Sequence, residues 1–193
     1  MMISRTIFTL TGCALALTLA GCASTVNSVA PNYIMPHQSK NGLMALAYVC
    51  RGHKNNALEK ALAFGNQYPL GSLTYGSVAG GFGNSDDIAI TCDNKVRYYL
   101  SSMPAGKYTF SDLSIGDGDT GGMNINFSIQ PQKVTYIGRL VIDAAAATTS
   151  FGGKEEVSYQ ISPSSAVDLA YFKKTYKNIP SRYYRVDYAV LTD

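Results

Sequence analysis

The chain has 193 residues, with 16 Lys and Arg against 13 Asp and Glu and a formal net charge of +3 at pH 7. So small an excess of bases argues against a nucleic-acid-binding protein, which usually carries a basic face or stripe. Fourteen Tyr, 18 Gly and only 15% charged residues favour a β-rich secreted domain over a helical bundle.

The first 21 residues have the proportions of a secretory signal. Arg5 and the free amine form a short basic start, and residues 7–20 follow without a charge. As a helix this segment of 14 residues would be about 21 Å long, whereas a bilayer core needs roughly 20 residues. We therefore expect residues 1–21 to be a signal peptide; a membrane helix that is kept is the alternative that the length disfavours.

The apolar segment ends in LAGC, at Leu19–Cys22. Small residues suit a peptidase that must approach the backbone closely, and a thiolate is a good nucleophile for thioether formation. These four residues resemble the lipobox of bacterial lipoproteins. The resemblance implies a diacylglyceryl group on Cys22, cleavage before Cys22 and acylation of the new amine. Cys13 is a poorer candidate, because it comes too early in the apolar segment.

The lipobox also predicts where the protein resides. Several acyl chains, such as palmitate, hold a protein stably on a membrane where one chain does not. The membrane is therefore the first predicted partner of this protein. In the lipoproteins that this chain resembles, Asp after the cysteine tends to retain the protein on the inner membrane. Ala23 stands there instead, which in a two-membrane envelope predicts the outer membrane, facing the periplasm.

Two cysteines remain once Cys13 leaves with the signal and Cys22 takes lipid. Cys50 and Cys92 are an even pair in an oxidising compartment, and this predicts a disulfide. Closing a loop of about 40 residues would stabilise the fold by roughly 4 kcal/mol. Two buried free thiols are the alternative.

The predicted mature chain divides into a lipidated tether, residues 22–42, and one domain, residues 43–193. Ala23–Asn41 is polar, with two prolines and no periodicity, and predicts a flexible tether. Leu43–Cys50 is apolar throughout, which predicts a strand buried on both faces. Asn56–Phe64 has helix formers with Gly65 after it, and predicts a short helix.

From residue 88 onward the apolar residues recur with a period of two, which predicts antiparallel strands with one wet and one dry face. Turn signals at Pro104–Gly106, Gly116–Gly122 and Pro131–Gln132 separate the strands, and this spacing predicts a β-sandwich. The alternating positions are Ile88, Ile90 and Cys92; Val96, Tyr98 and Leu100; Tyr108 and Phe110; Ile125, Phe127 and Ile129; Val134, Tyr136, Leu140 and Ile142; and Val157, Tyr159 and Ile161.

The C-terminal region changes to a helical period. Ser165 and Asp168 resemble a capping box, and Pro180 follows as a helix stop. Tyr183–Leu191 predicts a final strand. The fold class is therefore mainly β, an antiparallel sandwich with a C-terminal helix and a final strand. The predicted apolar stripe of the helix is Ala166, Leu169, Phe172 and Tyr176.

Two segments, Met103–Phe110 and Phe127–Ile142, resemble the strand-turn pattern of small prealbumin-like sandwich domains. In that pattern a Pro-x-Gly-x-Tyr turn starts one strand, and a later strand carries an aromatic residue followed by Gly. Several lipoprotein families of unknown function share it. The resemblance implies a fold only, since this fold hosts many unrelated functions.

Few residues favour catalysis or metal binding. Only His37 and His53 exist, too few for a metal site without further convergent ligands. The Gly116–Gly122 loop predicts a hairpin connection; calcium is an alternative, although the twelfth position counted from Asp117, where an EF-hand requires Glu, is Ser128. Asp86–Asp87 and Glu155–Glu156 are pairs of adjacent carboxylates. Adjacent residues of a strand face opposite sides, so neither pair converges for acid–base chemistry.

The segment near the C-terminus mixes aromatic and basic residues. Such a mixture could bind a partner protein or a glycan, because Tyr and Arg are enriched at interfaces, but helical spacing favours packing for several of the aromatics. The residues are Tyr171, Phe172, Tyr176, Tyr183, Tyr184 and Tyr188, with Lys173, Lys174, Lys177, Arg182 and Arg185.

These patterns predict a membrane-anchored, non-enzymatic envelope lipoprotein with a binding or structural role, without catalytic residues, metal or cofactor. Its partners would be the membrane, through Cys22, and other envelope proteins or glycans, but not nucleic acid. The alternative is an enzyme, or an enzyme inhibitor, that acts on cell-wall or surface polymers. A subunit of a larger secretion or pilus apparatus is a third hypothesis.

Overall fold

The computed structural model describes residues 28–52, 70–79, 85–115, 118–144 and 157–192 of the chain. Within these ranges it contains ten strands, one α-helix and a 3₁₀ turn at Ser181–Tyr183. The predicted helix at Asn56–Phe64 lies outside them. The elements are β1 Asn41–Arg51, β2 Leu70–Ser77, β3 Ser85–Thr91, β4 Val96–Pro104, β5 Gly106–Ile115, β6 Gly118–Ile129, β7 Val134–Asp143, β8 Ser158–Ser162, α1 Ser165–Thr175, β9 Tyr184–Val186 and β10 Val190–Leu191.

The strands form two sheets of five. The first sheet has the order β4-β1-β7-β8, with β9 also paired to β7; the second has the order β10-β6-β5-β2-β3. Most pairs are antiparallel, and β7 runs parallel to β1 and β9. The predicted mainly β sandwich with a C-terminal helix is therefore confirmed. No helix in the described part of the chain is long and apolar enough to cross a bilayer.

The core between the sheets is built from the alternating residues that the sequence marks. From the first sheet, β1 contributes every second side chain. From the second sheet, the alternating residues of β3, β5 and β6 are buried opposite them, as predicted. The principal contributors are Met44, Leu46, Tyr48, Ile88, Ile90, Tyr108, Phe110, Ile125, Phe127 and Ile129.

The outer face of the first sheet is covered as well. Leu43, Ala45 and Ala47 of β1 point away from the sandwich core and pack with Phe172 and Tyr176. Strand β1 is therefore buried on both faces, as its uninterrupted apolar sequence predicts. The molecule has three layers: the second sheet, the first sheet, and the helix with its flanking segments.

Part of the predicted tether packs against this outer layer. Val29 N–H donates to Leu100 O of β4 at 2.7 Å, and Ser28 Oγ bonds both the N–H and the carbonyl of Leu100. Tyr33 and Met35 pack against the outer cluster. The folded body therefore includes residues 28–40. These contacts satisfy some of the backbone hydrogen-bonding groups along the edge of β4, which would otherwise be open to pairing.

A disulfide joins the two sheets at one end. Cys50 near the end of β1 and Cys92 just after β3 lie at disulfide-bonding distance, with their Cα atoms 4.3 Å apart. Asn94 N–H donates to Cys50 O, and the Asn94 side chain donates to Gly52 O. The turn after β3 therefore wraps the end of β1, and the two cysteines lie at the distance that the predicted disulfide requires.

A β-bulge interrupts β7. Ala45 of β1 lies opposite Tyr136, but Ala47 lies opposite Arg139, so β7 carries one extra residue. The chain bends through Gly138, which has φ +115°. Tyr136 consequently faces the helix, whereas Leu140 faces the sandwich core. The prediction that Val134, Tyr136, Leu140 and Ile142 share one face was wrong, because the extra residue reverses the alternation.

Replacing Gly138 with Ala is expected to lower the free energy of unfolding by roughly 2–3 kcal/mol. The positive φ strains any L side chain, and the new Cβ would lie 2.6 Å from Ile161 Cγ2. Gly106→Ala is the matched control, because its Cβ would lie 3.7 Å from Tyr108 without a positive φ. Urea unfolding measures both; similar losses for the two variants would contradict the role of the bulge.

The predicted final strand, Tyr183–Leu191, is divided between the sheets. Tyr184–Val186 pairs with β7, and the chain stays beside that strand through a hydrogen bond from Ala189 N–H to Ile137 O. Val190 and Leu191 then pair with β6 of the second sheet. A single strand was therefore a wrong prediction: the segment crosses between the sheets and closes that side of the sandwich.

Candidate interaction face

The aromatic and basic residues near the C-terminus lie on the outer layer of the first sheet. Phe172 and Tyr176 are buried against that sheet, as the packing interpretation predicts. Tyr183 and Tyr184 are half-buried beside them. Tyr171 and Tyr188 are exposed. The cluster therefore combines a packing role with a solvent-facing surface.

A buried ion pair holds α1 on the sheet. The Asp168 carboxylate is fully buried and accepts hydrogen bonds from two nitrogens of Arg139, one of them Nε at 3.2 Å. The Tyr136 hydroxyl donates to the same carboxylate. Both partner residues come from β7, on either side of the bulge. The extra residue at Gly138 therefore brings Tyr136 and Arg139 to the same carboxylate.

This pairing replaces the predicted capping box. Ser164 is the N-cap residue of α1 and makes no side-chain capping bond, while Asp168 points into the sheet. Asp168 lies four residues before Phe172, so the two share one helical stripe. Ala166, predicted on that stripe, is exposed. Leu169, Phe172 and Tyr176 pack against the outer cluster as predicted, and Asp168 is the buried residue that the prediction omitted.

Small residues of β1 make room for the carboxylate. Ala47 lies between Tyr98 of β4 and Arg139 of β7 in the strand register. Its methyl group leaves space above the sheet that a larger side chain would fill, and Asp168 reaches Arg139 there. The apolar sequence of β1 thus serves both the core and the helix contact.

The electrostatics of this cluster favour a structural role over proton transfer. Burial, and then the Asp168 carboxylate, raise the pKa of Tyr136 well above its usual value of 10. Burial and Asp168 likewise raise the pKa of Tyr98, and the hydrogen bond to Asp168 raises the pKa of Arg139. A general acid or base works best with a pKa near the operating pH. These shifts move both tyrosines away from that range.

Stacked aromatic rings extend this cluster to the surface. Tyr98 and Tyr171 stack with centroids 3.7 Å apart and an interplanar angle of 12°. Phe172 meets Tyr98 edge-on at 5.5 Å. Because Tyr171 remains 42% exposed, it presents an amphipathic ring to the outside, as Tyr residues at interfaces do.

Basic side chains surround the C-terminal end of the helix. Lys173 lies over the Tyr184 ring at 5.7 Å, while Lys133 and Arg182 lie over Tyr183 at 5.5 and 5.3 Å. Such cation–π contacts orient the side chains without neutralising their charge. We call this surface the basic face; it comprises Lys133, Lys173, Lys174, Lys177 and Arg182.

The acids that flank the basic face along the chain, Asp168 and Asp187, are each paired with an arginine outside it. The three segments that build it, residues 28–40, 130–134 and 169–186, contain no Asp or Glu. None of the ion pairs found among the described residues involves its five bases. The positive charge of this surface is therefore not compensated locally.

Several residues singled out in the sequence lie elsewhere. Cys22 and His53 fall outside the described residues, whereas His37 is exposed in the N-terminal segment. Asp87 in β3 accepts a hydrogen bond from Thr74 at 2.6 Å. No group of three or more His, Cys, Asp or Glu that could hold a metal occurs in the described ranges.

The predicted loop at Gly116–Gly122 is shorter than expected. Strand β6 begins at Gly118 and pairs with Ile115 of β5. Asp117 lies outside the described residues, as does the Asp119 side chain, so the calcium alternative stays a prediction.

Comparison of the chain with protein-family models, with curated proteins and with solved structures finds no match. The resemblance to prealbumin-like domains stays a prediction. At the turn that carries this resemblance, the Tyr108 hydroxyl donates to Pro104 O at 2.7 Å. The hydrogen bond links Tyr108, near the start of β5, to the last residue of β4.

Proposed function

We propose that this protein is a non-enzymatic lipoprotein of the bacterial envelope, anchored through acylated Cys22 and most readily placed on the periplasmic face of an outer membrane. It would have a binding or structural role there. The observation that carries the proposal is the LAGC motif at Leu19–Cys22, which ends an apolar segment too short to span a bilayer comfortably.

The disulfide supports export. Cys50 and Cys92 are both fully buried and lie at bonding distance between the two sheets. Structural disulfides persist in oxidising compartments and are rare in the cytosol. The periplasm or cell surface is such a compartment.

The start of the folded body supports a position close to the membrane. Ser28 is bonded to β4 and lies six positions after Cys22. Six residues span at most about 22 Å when fully extended. An acylated Cys22 would therefore hold the body close to the bilayer surface, nearer than the predicted 22–42 tether would require.

Cys22→Ser is expected to release the protein from membranes or to leave the precursor uncut, because the thioether acceptor is lost. Fractionation of cells followed by immunoblotting measures this. Cys13→Ser is the matched control, and its attachment and processing should match the wild type. A Cys22→Ser protein that is processed normally and stays on the membrane would contradict the proposal.

A further inference from the structure

We infer that the basic face is the membrane-facing surface of the protein and binds the anionic headgroups of the bilayer on which it is anchored. The inference rests on the proposed lipid anchor for its geometry. It assigns an orientation and a second, electrostatic contact with the membrane that the anchor alone does not require.

The first argument is the position of Ser28. Its Oγ lies 3.2 Å from the Tyr176 hydroxyl, just beyond α1. Four residues further on, Asn32 O accepts a hydrogen bond from the Asn178 side chain. The chain that leads to Cys22 therefore leaves the body beside Lys177, which lies between these two contacts in sequence.

The second argument is the length of that chain. A body of this size is about 40 Å across, by the radius of gyration expected for its length. A six-residue connection reaches at most about 22 Å, roughly half of that distance. The surface far from Ser28 therefore cannot turn to the bilayer, whereas the basic face can reach it.

The third argument is charge. Five bases that take part in none of the ion pairs found among the described residues match the negative surface potential of anionic lipids, which attracts basic residues close to the membrane. The contacts of Lys173 with Tyr184 and of Lys133 with Tyr183 keep the ammonium groups on this side of the molecule. Tyr rings at headgroup level are themselves typical of membrane interfaces.

The fourth argument is an exposed apolar side chain on the same segment. Ile34 is 71% exposed, although its neighbours Tyr33 and Met35 pack against the outer cluster. It comes two residues after Asn32, whose carbonyl accepts a hydrogen bond from Asn178. An exposed aliphatic side chain next to a basic surface fits shallow insertion at the headgroup boundary.

Vesicle binding by a chain without lipid tests this contact separately from the anchor. The probe protein is the chain from residue 22 with Cys22→Ser, exported by a non-lipoprotein signal so that the disulfide can form. It should bind vesicles containing phosphatidylglycerol, bind neutral phosphatidylcholine vesicles far less, and be released by high salt.

Two charge-reversal variants of this chain locate the contact. Lys174→Glu/Lys177→Glu is expected to weaken binding by at least about 30-fold, since losing each basic residue near an anionic surface costs about five-fold and each new carboxylate adds repulsion. Arg51→Glu/Lys95→Glu makes the same change in net charge at the other end of β1, and should bind like the parent. Equal losses in both variants would overturn the assignment.

The absence of Trp from the chain allows a second measurement. Ile34→Trp should show a blue-shifted emission and quenching by brominated lipid on anionic vesicles. Val78→Trp, at a site that is 60% exposed just after β2 of the second sheet, should show neither. Quenching of both reporters, or of the Val78 reporter alone, would contradict the orientation.

The outcomes separate this inference from the proposed function. If the wild-type chain is acylated but the unacylated chain fails to bind anionic vesicles, the assignment of the membrane-facing surface is overturned and the proposed anchor is not. A wild-type chain that takes no lipid overturns the anchor, whatever the vesicles show. Binding to an acidic polymer but not to vesicles would assign the basic face to another macromolecule and would also overturn the inference.

Discussion

Replacing Asp168 with Ala is expected to lower the free energy of unfolding by about 3–5 kcal/mol, because it leaves the partly buried Arg139 guanidinium without its counter-charge. The Tyr136 hydroxyl loses its acceptor in the same substitution. In a protein of this size such a loss corresponds to a fall in Tm on the order of 10 °C. Urea and thermal unfolding measure it.

Two further variants distinguish the ion pair from simple packing. Arg139→Met/Asp168→Leu replaces both charges with apolar groups and should cost less than Asp168→Ala, because no unpaired charge remains. Tyr136→Phe should cost about 1.5–3 kcal/mol, the usual contribution of a hydrogen bond to a charged group. An Asp168→Ala variant within 1 kcal/mol of the wild type would show that the pair does not hold the helix.

Reducing the Cys50–Cys92 disulfide is expected to lower the free energy of unfolding by about 4 kcal/mol, for a sequence separation of 42 residues. The bond links the end of β1 to the end of β3, so its loss frees the two sheets from each other at that end. The measurement is urea unfolding with and without reductant in a chain carrying Cys22→Ser.

The control for this prediction is Cys50→Ala/Cys92→Ala. Its unfolding midpoint should lie close to that of the reduced parent and should not respond to reductant. If the parent kept its midpoint although thiol titration showed two free cysteines, the bridge would not contribute to stability.

The sandwich could be predicted because the residues that specify each strand lie next to one another in the sequence. Alternation in β3, β5 and β6 marks their buried faces correctly, since each of those strands has one face in the core. The uninterrupted apolar run of β1 correctly indicates burial on both faces, although the sequence does not identify α1 as the element that covers the second face.

The helix contact could not be predicted because its parts are distant in sequence. Asp168 fits a local capping pattern, so nothing nearby indicates that its partner is Arg139, 29 residues earlier. That partner depends on the bulge at Gly138, which a strict period of two does not allow for. An Asp within an apolar helical stripe was the one available signal.

The basic face was only partly predictable. The C-terminal cluster marks four of its five bases, but Lys133 joins them through the turn between β6 and β7. The contact of Ser28 with Tyr176 was not expected, because residues 23–41 have the composition of a tether. Prolines and small polar residues are typical of a flexible linker, yet a few residues of this segment form hydrogen bonds with the backbone at the edge of β4.

Mass spectrometry of the N-terminal peptide, from protein purified out of membranes, tests the account most directly. We predict a peptide that begins at Cys22 and carries diacylglycerol on its sulfur, with a further acyl chain on its amine. A peptide that begins elsewhere, or a Cys22 with a free thiol, would contradict the anchor and the orientation derived from it.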